Sequence, residues 1–179
     1  DKGIGSILAD EMGLGKTLQT ISFLSALKHL REISGPHLIV VPLSVFHNWK
    51  LELERWCPEL RAIHLHSGDK QEREDLRSRL LAAMDKEDMY DVVVTTYEMV
   101  KSASFESTLT SLIHWRVLVL DEAHRVKSEE ADITVILRKT HRQHALLLTG
   151  TPIQNNLTEL HNLLSFISPT VFTSAEPFE

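Results

Sequence analysis

Residues Asp10–Thr17 read D-E-M-G-L-G-K-T, a pattern that predicts a phosphate-binding loop. The apolar run Ile7–Ala9 before it is typical of the end of a buried strand. Apolar residues recur after it at helical spacing, at Leu18, Ile21, Leu24 and Leu27. Gly13 and Gly15 allow a tight turn that points backbone N–H groups at one centre, and the following helix N-terminus adds partial positive charge there. The stretch therefore predicts a strand, a loop that holds phosphate, and a helix.

The whole loop is predicted to contact the phosphates. Its residues are Asp10, Glu11, Met12, Gly13, Leu14, Gly15, Lys16 and Thr17. Lys16 is expected to reach the terminal phosphates, and the Thr17 hydroxyl is expected to ligate Mg²⁺. The loop departs from the general pattern at Asp10, where the pattern begins with Gly. Taken alone, the stretch is also compatible with a Gly-rich helix start after a strand.

A second motif, D-E-A-H at Asp121–His124, follows the apolar run Val117–Leu120. An acidic pair at the end of a buried strand is typical of the metal site that accompanies such a loop. Asp121 is expected to hold Mg²⁺ through its water shell, and Glu122 to accept a proton from the attacking water. The alternative interpretation is two solvated carboxylates in a loop, which the upstream phosphate loop disfavours.

Composition excludes several classes of protein. The 179 residues suffice for one domain with a substantial core, and 42% hydrophobic with 25% charged residues is ordinary for a globular protein. No apolar run approaches the roughly 20 residues that span a bilayer, and no membrane partner is expected. Cys57 is the only cysteine, so neither an internal disulfide nor a Cys-rich zinc site is expected. A formal net charge of −6 argues against a generally basic nucleic-acid binder.

Strand and helix signals alternate along the chain. The predicted strands are Ser6–Ala9, His37–Val41, Arg61–His66, Asp91–Thr96, Trp115–Leu120 and His144–Thr149. The predicted helices are Lys16–Leu30, one capped by Ser44 and ending near Trp56, Lys70–Met84, one starting near Tyr97, Asp132–Lys139 and Thr158–Ile167. The alternation predicts an α/β fold with a mostly parallel sheet covered on both faces. Trp49 and Trp56 are expected in the core, and Ser102–Ser111 as a variable surface loop.

Polar clusters fall at the predicted carboxyl ends of the strands. They are Asp10–Thr17, Pro42–Ser44, Thr95–Tyr97, Asp121–His124 and Thr149–Thr151. Ligands of open α/β sheets bind beyond these strand ends. A nucleotide would occupy the first and fourth clusters. The other three need a second ligand, and their hydroxyl and N–H groups suit phosphate oxygens.

The wording of these motifs resembles that of superfamily-two helicases, and within them the SWI/SNF-type ATPases. The resemblance is carried by D-E-M-G-L-G-K-T, V-V-P-L-S-V-F-H-N-W, V-V-V-T-T-Y-E-M, D-E-A-H-R-V-K and L-L-L-T-G-T-P-I-Q-N-N. G-P-H-L-I-V-V-P, H-N-W, L-T-G-T-P-I-Q-N-N-L-T-E-L and F-T-S-A-E-P-F are most similar to the ISWI (imitation switch) chromatin remodellers.

The resemblance implies a three-layer RecA-like P-loop NTPase domain that binds ATP and Mg²⁺. Residues 1–179 match the first lobe of a two-lobed, nuclear motor that hydrolyses ATP and translocates on double-stranded DNA to move nucleosomes, together with accessory subunits. We expect the chain to be a piece of a longer protein, without the upstream adenine-contacting segment and without the second lobe and its arginine fingers. The isolated lobe is therefore expected to be nearly inactive as an ATPase.

The same resemblance implies roles residue by residue. It assigns catalysis to Lys16, Asp121 and Glu122, and the metal to Thr17 and Asp121. It places contacts with the DNA backbone at Pro42, Ser44, Thr95, Thr96 and Tyr97. It places coupling between ATP state and DNA grip at His124, Thr149, Gly150 and Thr151, although a helix-capping role for His124 stays open.

Two other functions fit parts of the pattern. One is a non-catalytic scaffold domain that binds nucleotide or DNA without turnover, which the intact set of Lys16, Thr17, Asp121 and Glu122 disfavours. The other is a DEAH-type RNA helicase, since D-E-A-H is shared. Such helicases usually carry S-A-T where this chain has T-G-T at Thr149–Thr151, together with a different phosphate loop.

Overall fold

The computed structural model describes residues 5–84, 90–126, 132–150 and 157–173. The strands are β1 (Ser6–Leu8), β2 (His37–Val41), β3 (Ala62–Leu65), β4 (Val92–Thr96), β5 (Trp115–Leu120) and β6 (Arg142–Leu148). The α-helices are α1 (Lys16–Arg31), α2 (Leu43–Trp56), α3 (Lys70–Met84), α4 (Tyr97–Val100), α5 (Asp132–Arg138) and α6 (Leu157–Ile167). A π-helical turn spans Thr108–Leu112 and a 3₁₀ turn Ala123–Arg125.

The six strands form one sheet in the order β1-β6-β5-β2-β4-β3. Every pair of neighbouring strands is parallel, which confirms the predicted α/β fold class. Parallel strands buried on both faces read as continuous apolar runs, and β2 (H-L-I-V-V) is buried at all five positions. Because strands separated in sequence become neighbours, the carboxyl ends of β2 and β5 lie side by side.

Alternate residues of each strand supply two hydrophobic layers, one on each side of the sheet. On one side, Ile39 and Val41 of β2 pack with residues of α1 and α2 such as Leu24 and Trp49. On the other side, the neighbouring positions of β2 pack with residues of α3, α4, α5 and α6. This is the three-layer arrangement that the sequence predicted. In the part of the chain that the structure describes, no helix combines the length and apolar character needed to cross a membrane.

The structure corrects three local predictions. Helix α2 begins at Leu43 after Pro42, whose carbonyl accepts from the N–H of Val45 over 3.1 Å, so Ser44 is not its N-cap. Trp49 is buried as predicted, but Trp56 is 48% exposed and is not a core residue.

The third correction concerns the predicted surface loop Ser102–Ser111. Phe105 and Leu109 in this segment are 0% exposed and belong to the hydrophobic core. Phe105 lies between α4 and the π-helical turn, Leu109 lies within that turn, and their spacing of four residues brings both side chains into one core cluster. The many Ser and Thr residues hid this pattern, because the segment reads as polar when its composition alone is considered.

Candidate functional site

The loop between β1 and α1 has the backbone conformation that a phosphate loop needs. Gly13 and Gly15 have φ of 88° and 73°, in the left-handed region that favours glycine. A Cβ at either position would meet nothing within 4 Å, so conformation and not crowding requires glycine here. Gly15 also caps α1, since its carbonyl accepts from the N–H of Gln19 over 2.9 Å. The free N–H groups of the first turn of α1 are therefore presented at the loop.

The loop folds around its own lysine. Nζ of Lys16 donates to the carbonyl oxygens of Asp10 and Glu11 over 2.7 and 2.9 Å. The carboxylate of Asp10 accepts from Nε2 of Gln19 over 3.0 Å, and the same amide donates to the carbonyl of Leu14. Asp10, the departure from the general pattern, therefore ties the start of the loop to α1. Binding of a phosphate by Lys16 would replace its two carbonyl partners.

Asp121 follows β5 and is held at every polar atom. Its N–H donates to the carbonyl of Val40 over 2.9 Å, and its carbonyl accepts from the hydroxyl of Tyr97 over 2.7 Å. The carboxylate accepts from Nε1 of Trp49 at Oδ2 over 2.8 Å and from the N–H of Glu122 at Oδ1 over 2.9 Å. Burial raises the pKa of Asp121, while these two donors act against that rise.

Glu122 occupies an unusual backbone conformation. Its φ of 49° and ψ of 53° lie in the left-handed region, which non-glycine residues rarely adopt. Its Oε2 lies 3.2 Å from Nδ1 of His124, which belongs to the 3₁₀ turn that Glu122 caps. The His124 side chain is 31% exposed, and this contact with Glu122 joins the two residues that the sequence assigned to catalysis and coupling. Strain of this kind is concentrated at functional sites.

The loop and the acidic pair line one cleft of about 400 Å³. Lys16 and Thr17 form one wall, and Asp121 and Glu122 another. The remaining lining residues include Trp49 and, although it was predicted in the core, Trp56. Side chains more than a hundred positions apart in the sequence thus converge on a single concave site.

The oxygen donors in this cleft suit Mg²⁺. The two predicted to hold the metal are the Thr17 hydroxyl and the Asp121 carboxylate, and Asn48, Glu52 and Glu122 also line the cleft. Among the described residues, no group of three or more His, Cys, Asp or Glu side chains is placed to hold a metal ion. Mg²⁺ keeps several waters and is commonly held by one or two carboxylates together with substrate phosphates. The donor set therefore fits a metal that arrives with a nucleotide.

The predicted DNA-contacting residues differ in accessibility. Ser44 is exposed near the start of α2, whereas Pro42, Thr95, Thr96 and Tyr97 are buried. The Thr95 hydroxyl donates to the carbonyl of Leu65 over 3.0 Å, and the Thr96 hydroxyl accepts from the N–H of Met99 over 3.3 Å to cap α4. Ser44 is thus the one of the five that is exposed, and a DNA role for all five stays a prediction.

The segment after β6 lies against the phosphate loop. The N–H of Thr149 donates to the carbonyl of Leu8 over 3.1 Å. A Cβ on Gly150 would lie 2.9 Å from Cγ of Met12 and 3.6 Å from Nζ of Lys16. This close approach suits a segment that senses the loop. The third residue of the predicted coupling segment, Thr151, lies outside the described residues.

Known proteins with the same sequence pattern identify the family of this chain. The family model described as the SNF2-related domain matches residues 1–179. The chain belongs to this family. A mouse (Mus musculus) protein named "SWI/SNF-related matrix-associated actin-dependent regulator of chromatin subfamily A member 1" is 49% identical over 179 residues, 100% of this chain and 16% of that protein. The "ISWI chromatin-remodeling complex ATPase ISW1" of Saccharomyces cerevisiae is 45% identical over 176 residues, 98% of this chain and 15% of that protein.

A solved structure supports the SNF2-family assignment. The "Sulfolobus solfataricus SWI2/SNF2 ATPase core in complex with dsDNA" is 33% identical, with a TM-score of 0.78 over 98% of this chain and 34% of that chain. The resemblance to SWI/SNF-type ATPases and to ISWI proteins is therefore confirmed, as is the RecA-like fold. The chain spans 16% of the mouse relative's length, so the activity of a whole remodeller does not transfer to it directly.

Proposed function

We propose that this SNF2-family chain is the ATP-binding lobe of an ATP-dependent double-stranded DNA translocase that remodels nucleosomes. The observation that carries the proposal is the convergence of Lys16, Thr17, Asp121 and Glu122 on one cleft. Phosphate binding, metal binding and activation of water require these four side chains, and a scaffold that only bound nucleotide would need no acidic residue poised to accept a proton.

Each side chain has a defined part in the proposed reaction. Lys16 leaves its loop carbonyls to bind the terminal phosphates of ATP, and the N–H groups at the start of α1 bind the phosphate oxygens beside it. Thr17 and Asp121 would hold Mg²⁺. When bound, Mg²⁺ offsets the negative charge that develops on the transferred phosphoryl group. Glu122 orients the attacking water and accepts its proton at a carboxylate oxygen.

The proposed partners follow from the same assignment. Ser44 and the segments that follow β2 and β4 would face the DNA backbone, and the segment after β6 would report the state of the phosphate loop. A second RecA-like lobe would complete the ATP site and supply the arginine that the described part of this cleft lacks. Nucleosomes, accessory remodeller subunits and a nuclear location belong to the proposal as well, supported by relatives named as ATPases of chromatin-remodeling complexes.

A test of the proposed function compares ATP hydrolysis by the full-length protein with and without duplex DNA. Duplex DNA should stimulate phosphate release, the response should fall with salt, and it should not depend on DNA sequence, because backbone contacts carry no sequence information. Lys16→Ala should abolish turnover. Lys139→Ala, an exposed lysine that follows α5, serves as the matched control and should hydrolyse ATP normally.

Two outcomes would refute the proposal. Turnover that is stimulated by RNA and accompanied by strand separation would identify an RNA helicase instead. Nucleotide binding without any DNA-stimulated turnover in the full-length protein would identify a scaffold. Sliding of a positioned nucleosome by the wild type, and its loss in Lys16→Ala, would support the remodelling part of the proposal.

A further inference from the structure

The indole of Trp49 makes a contact that its position in a core helix does not require. Trp49 lies on α2 and is 1% exposed, and its Nε1 donates to Oδ2 of Asp121 over 2.8 Å. Because an indole has one N–H and no acceptor, this single bond uses its whole hydrogen-bonding capacity. Its partner is the carboxylate proposed to hold Mg²⁺, and not a backbone carbonyl as is common for buried tryptophans.

The main chain of Asp121 does not depend on this contact. Its N–H is bound to the carbonyl of Val40, so it continues the pairing of β5 with β2. Its carbonyl is bound to the hydroxyl of Tyr97, which stands at the start of α4. Removing the N–H of Trp49 would therefore leave the backbone at the end of β5 in place and affect only the carboxylate.

The rotation of the carboxylate does depend on Trp49. The N–H of Glu122 holds Oδ1, but it belongs to the next residue and moves with the same turn. Trp49, 72 positions earlier in the chain, is the donor that ties the carboxylate to a different element of the fold. Each carboxylate oxygen has two acceptor sites, so capacity remains for the water shell of a metal.

We propose that Trp49 is a positioning residue for Mg²⁺, whose N–H fixes the orientation in which the Asp121 carboxylate receives the hydrated metal. The inference rests on the proposed function, which makes Asp121 the metal ligand. It adds a requirement beyond the four side chains assigned to phosphate, metal and water, since Trp49 would act through Asp121. Outer-shell partners of this kind typically change metal affinity by about 10–100-fold when they are mutated.

The test is Trp49→Phe in the full-length protein, which keeps an aromatic ring and removes the N–H. Binding of a non-hydrolysable ATP analogue is measured by calorimetry over a range of Mg²⁺ concentrations. The Mg²⁺ concentration for half-maximal binding should rise by about tenfold or more. Nucleotide binding without Mg²⁺ should not change, because Lys16 and the loop are intact. A merely structural role for Trp49 would weaken both kinds of binding together.

Trp115→Phe is a closely matched control. Trp115 is also 1% exposed, and its Nε1 donates over 2.7 Å, but to the backbone carbonyl of Leu109, away from the site. Both variants should lower the urea midpoint of unfolding, and only Trp49→Phe should change the Mg²⁺ dependence. Should Trp49→Phe not fold, replacement of Trp49 by benzothienylalanine removes the N–H while keeping the shape of both rings.

The outcomes separate this inference from the function on which it rests. An unchanged Mg²⁺ dependence in Trp49→Phe or the benzothienylalanine variant, with Mg²⁺-dependent binding in the wild type, would overturn the role of Trp49 alone. An equal change in Trp115→Phe would overturn it too, because the effect would then come from loss of packing. A wild type whose nucleotide binding ignored Mg²⁺ would overturn the proposed function itself.

Discussion

The sharpest test of the proposed chemistry is the change of Glu122 to Gln. Glu122 follows Asp121, the proposed Mg²⁺ ligand. Its side chain lines the cleft and is 32% exposed, so it is accessible to water there. Gln has the same number of heavy atoms and tolerates the left-handed φ of 49° as well or as poorly as Glu. The change therefore removes the proton acceptor while preserving the size of the side chain and the backbone.

The magnitude follows from what an amide cannot do. Loss of a general base typically lowers the rate by about 10²–10⁴-fold. Each tenfold change corresponds to about 1.4 kcal/mol, so the barrier should rise by roughly 3–5 kcal/mol. Binding of Mg²⁺ and ATP should stay close to that of the wild type, because Lys16, Thr17 and Asp121 are unchanged. The 3.2 Å contact with His124 can also be kept by the amide.

The assay is single-turnover hydrolysis of saturating ATP by the full-length protein on duplex DNA, with nucleotide affinity measured in parallel. Glu98→Gln is the matched control, since Glu98 is a nearby carboxylate, 57% exposed, that lies 3.5 Å from the guanidinium of Arg125. It should hydrolyse ATP at the wild-type rate. Hydrolysis by Glu122→Gln at a rate near that of the wild type would show that the base is another group.

Three further predictions concern the stability of the fold and the ATPase activity of the isolated lobe. Burial lowers the pKa of His37 from its usual 6.5 to about 4, so the unfolded chain binds more protons between these values. The free energy of unfolding should therefore fall by about 3 kcal/mol as the pH falls through that window, and urea titrations at its two ends should show that His37→Gln removes this pH dependence. An equal pH dependence in the wild type and the variant would contradict the prediction. Phe105→Ala should lower the free energy of unfolding by about 3–5 kcal/mol, and Phe23→Ala, at a site that is 39% exposed, should lower it by less than half as much. Equally small losses in the two variants would show that Phe105 is not a core residue. Residues 1–179 expressed alone should show no DNA-stimulated phosphate release, because an arginine finger typically contributes about 10³–10⁵ in rate; substantial release that Lys16→Ala abolished would show that the lobe is self-sufficient.

The sequence by itself determined the features that depend on local pattern. The phosphate loop was readable because glycines, a lysine and a threonine must stand at fixed spacing between an apolar strand and a helix. The strands His37–Val41 and Trp115–Leu120 were predicted with the bounds that the structure shows, because a parallel strand buried on both faces is a continuous apolar run. The alternation of such runs with helices determined the fold class.

Composition and spacing gave the wrong burial for two parts of the chain. The segment Ser102–Ser111 reads as a loop, yet Phe105 and Leu109 are core residues, because a few large apolar side chains outweigh many small hydroxyls once they face the sheet. Trp56 has the same helical spacing as Trp49, yet it is 48% exposed, because it is the last residue of α2 and lines the open cleft. Spacing identifies a face of a helix, but it does not say where the covering surface ends.

Only the tertiary structure decided which distant groups meet. The strand order places β2 beside β5, and this neighbourhood brings α2 and Trp49 to Asp121, 72 positions later in the chain. It likewise shows Thr95 and Thr96 bonded inside the protein, where the motif alone suggested free hydroxyls. A local sequence pattern indicates which strand or helix a residue belongs to. The partner of a hydrogen bond is chosen by the packing of the whole sheet, which no local window of the sequence contains.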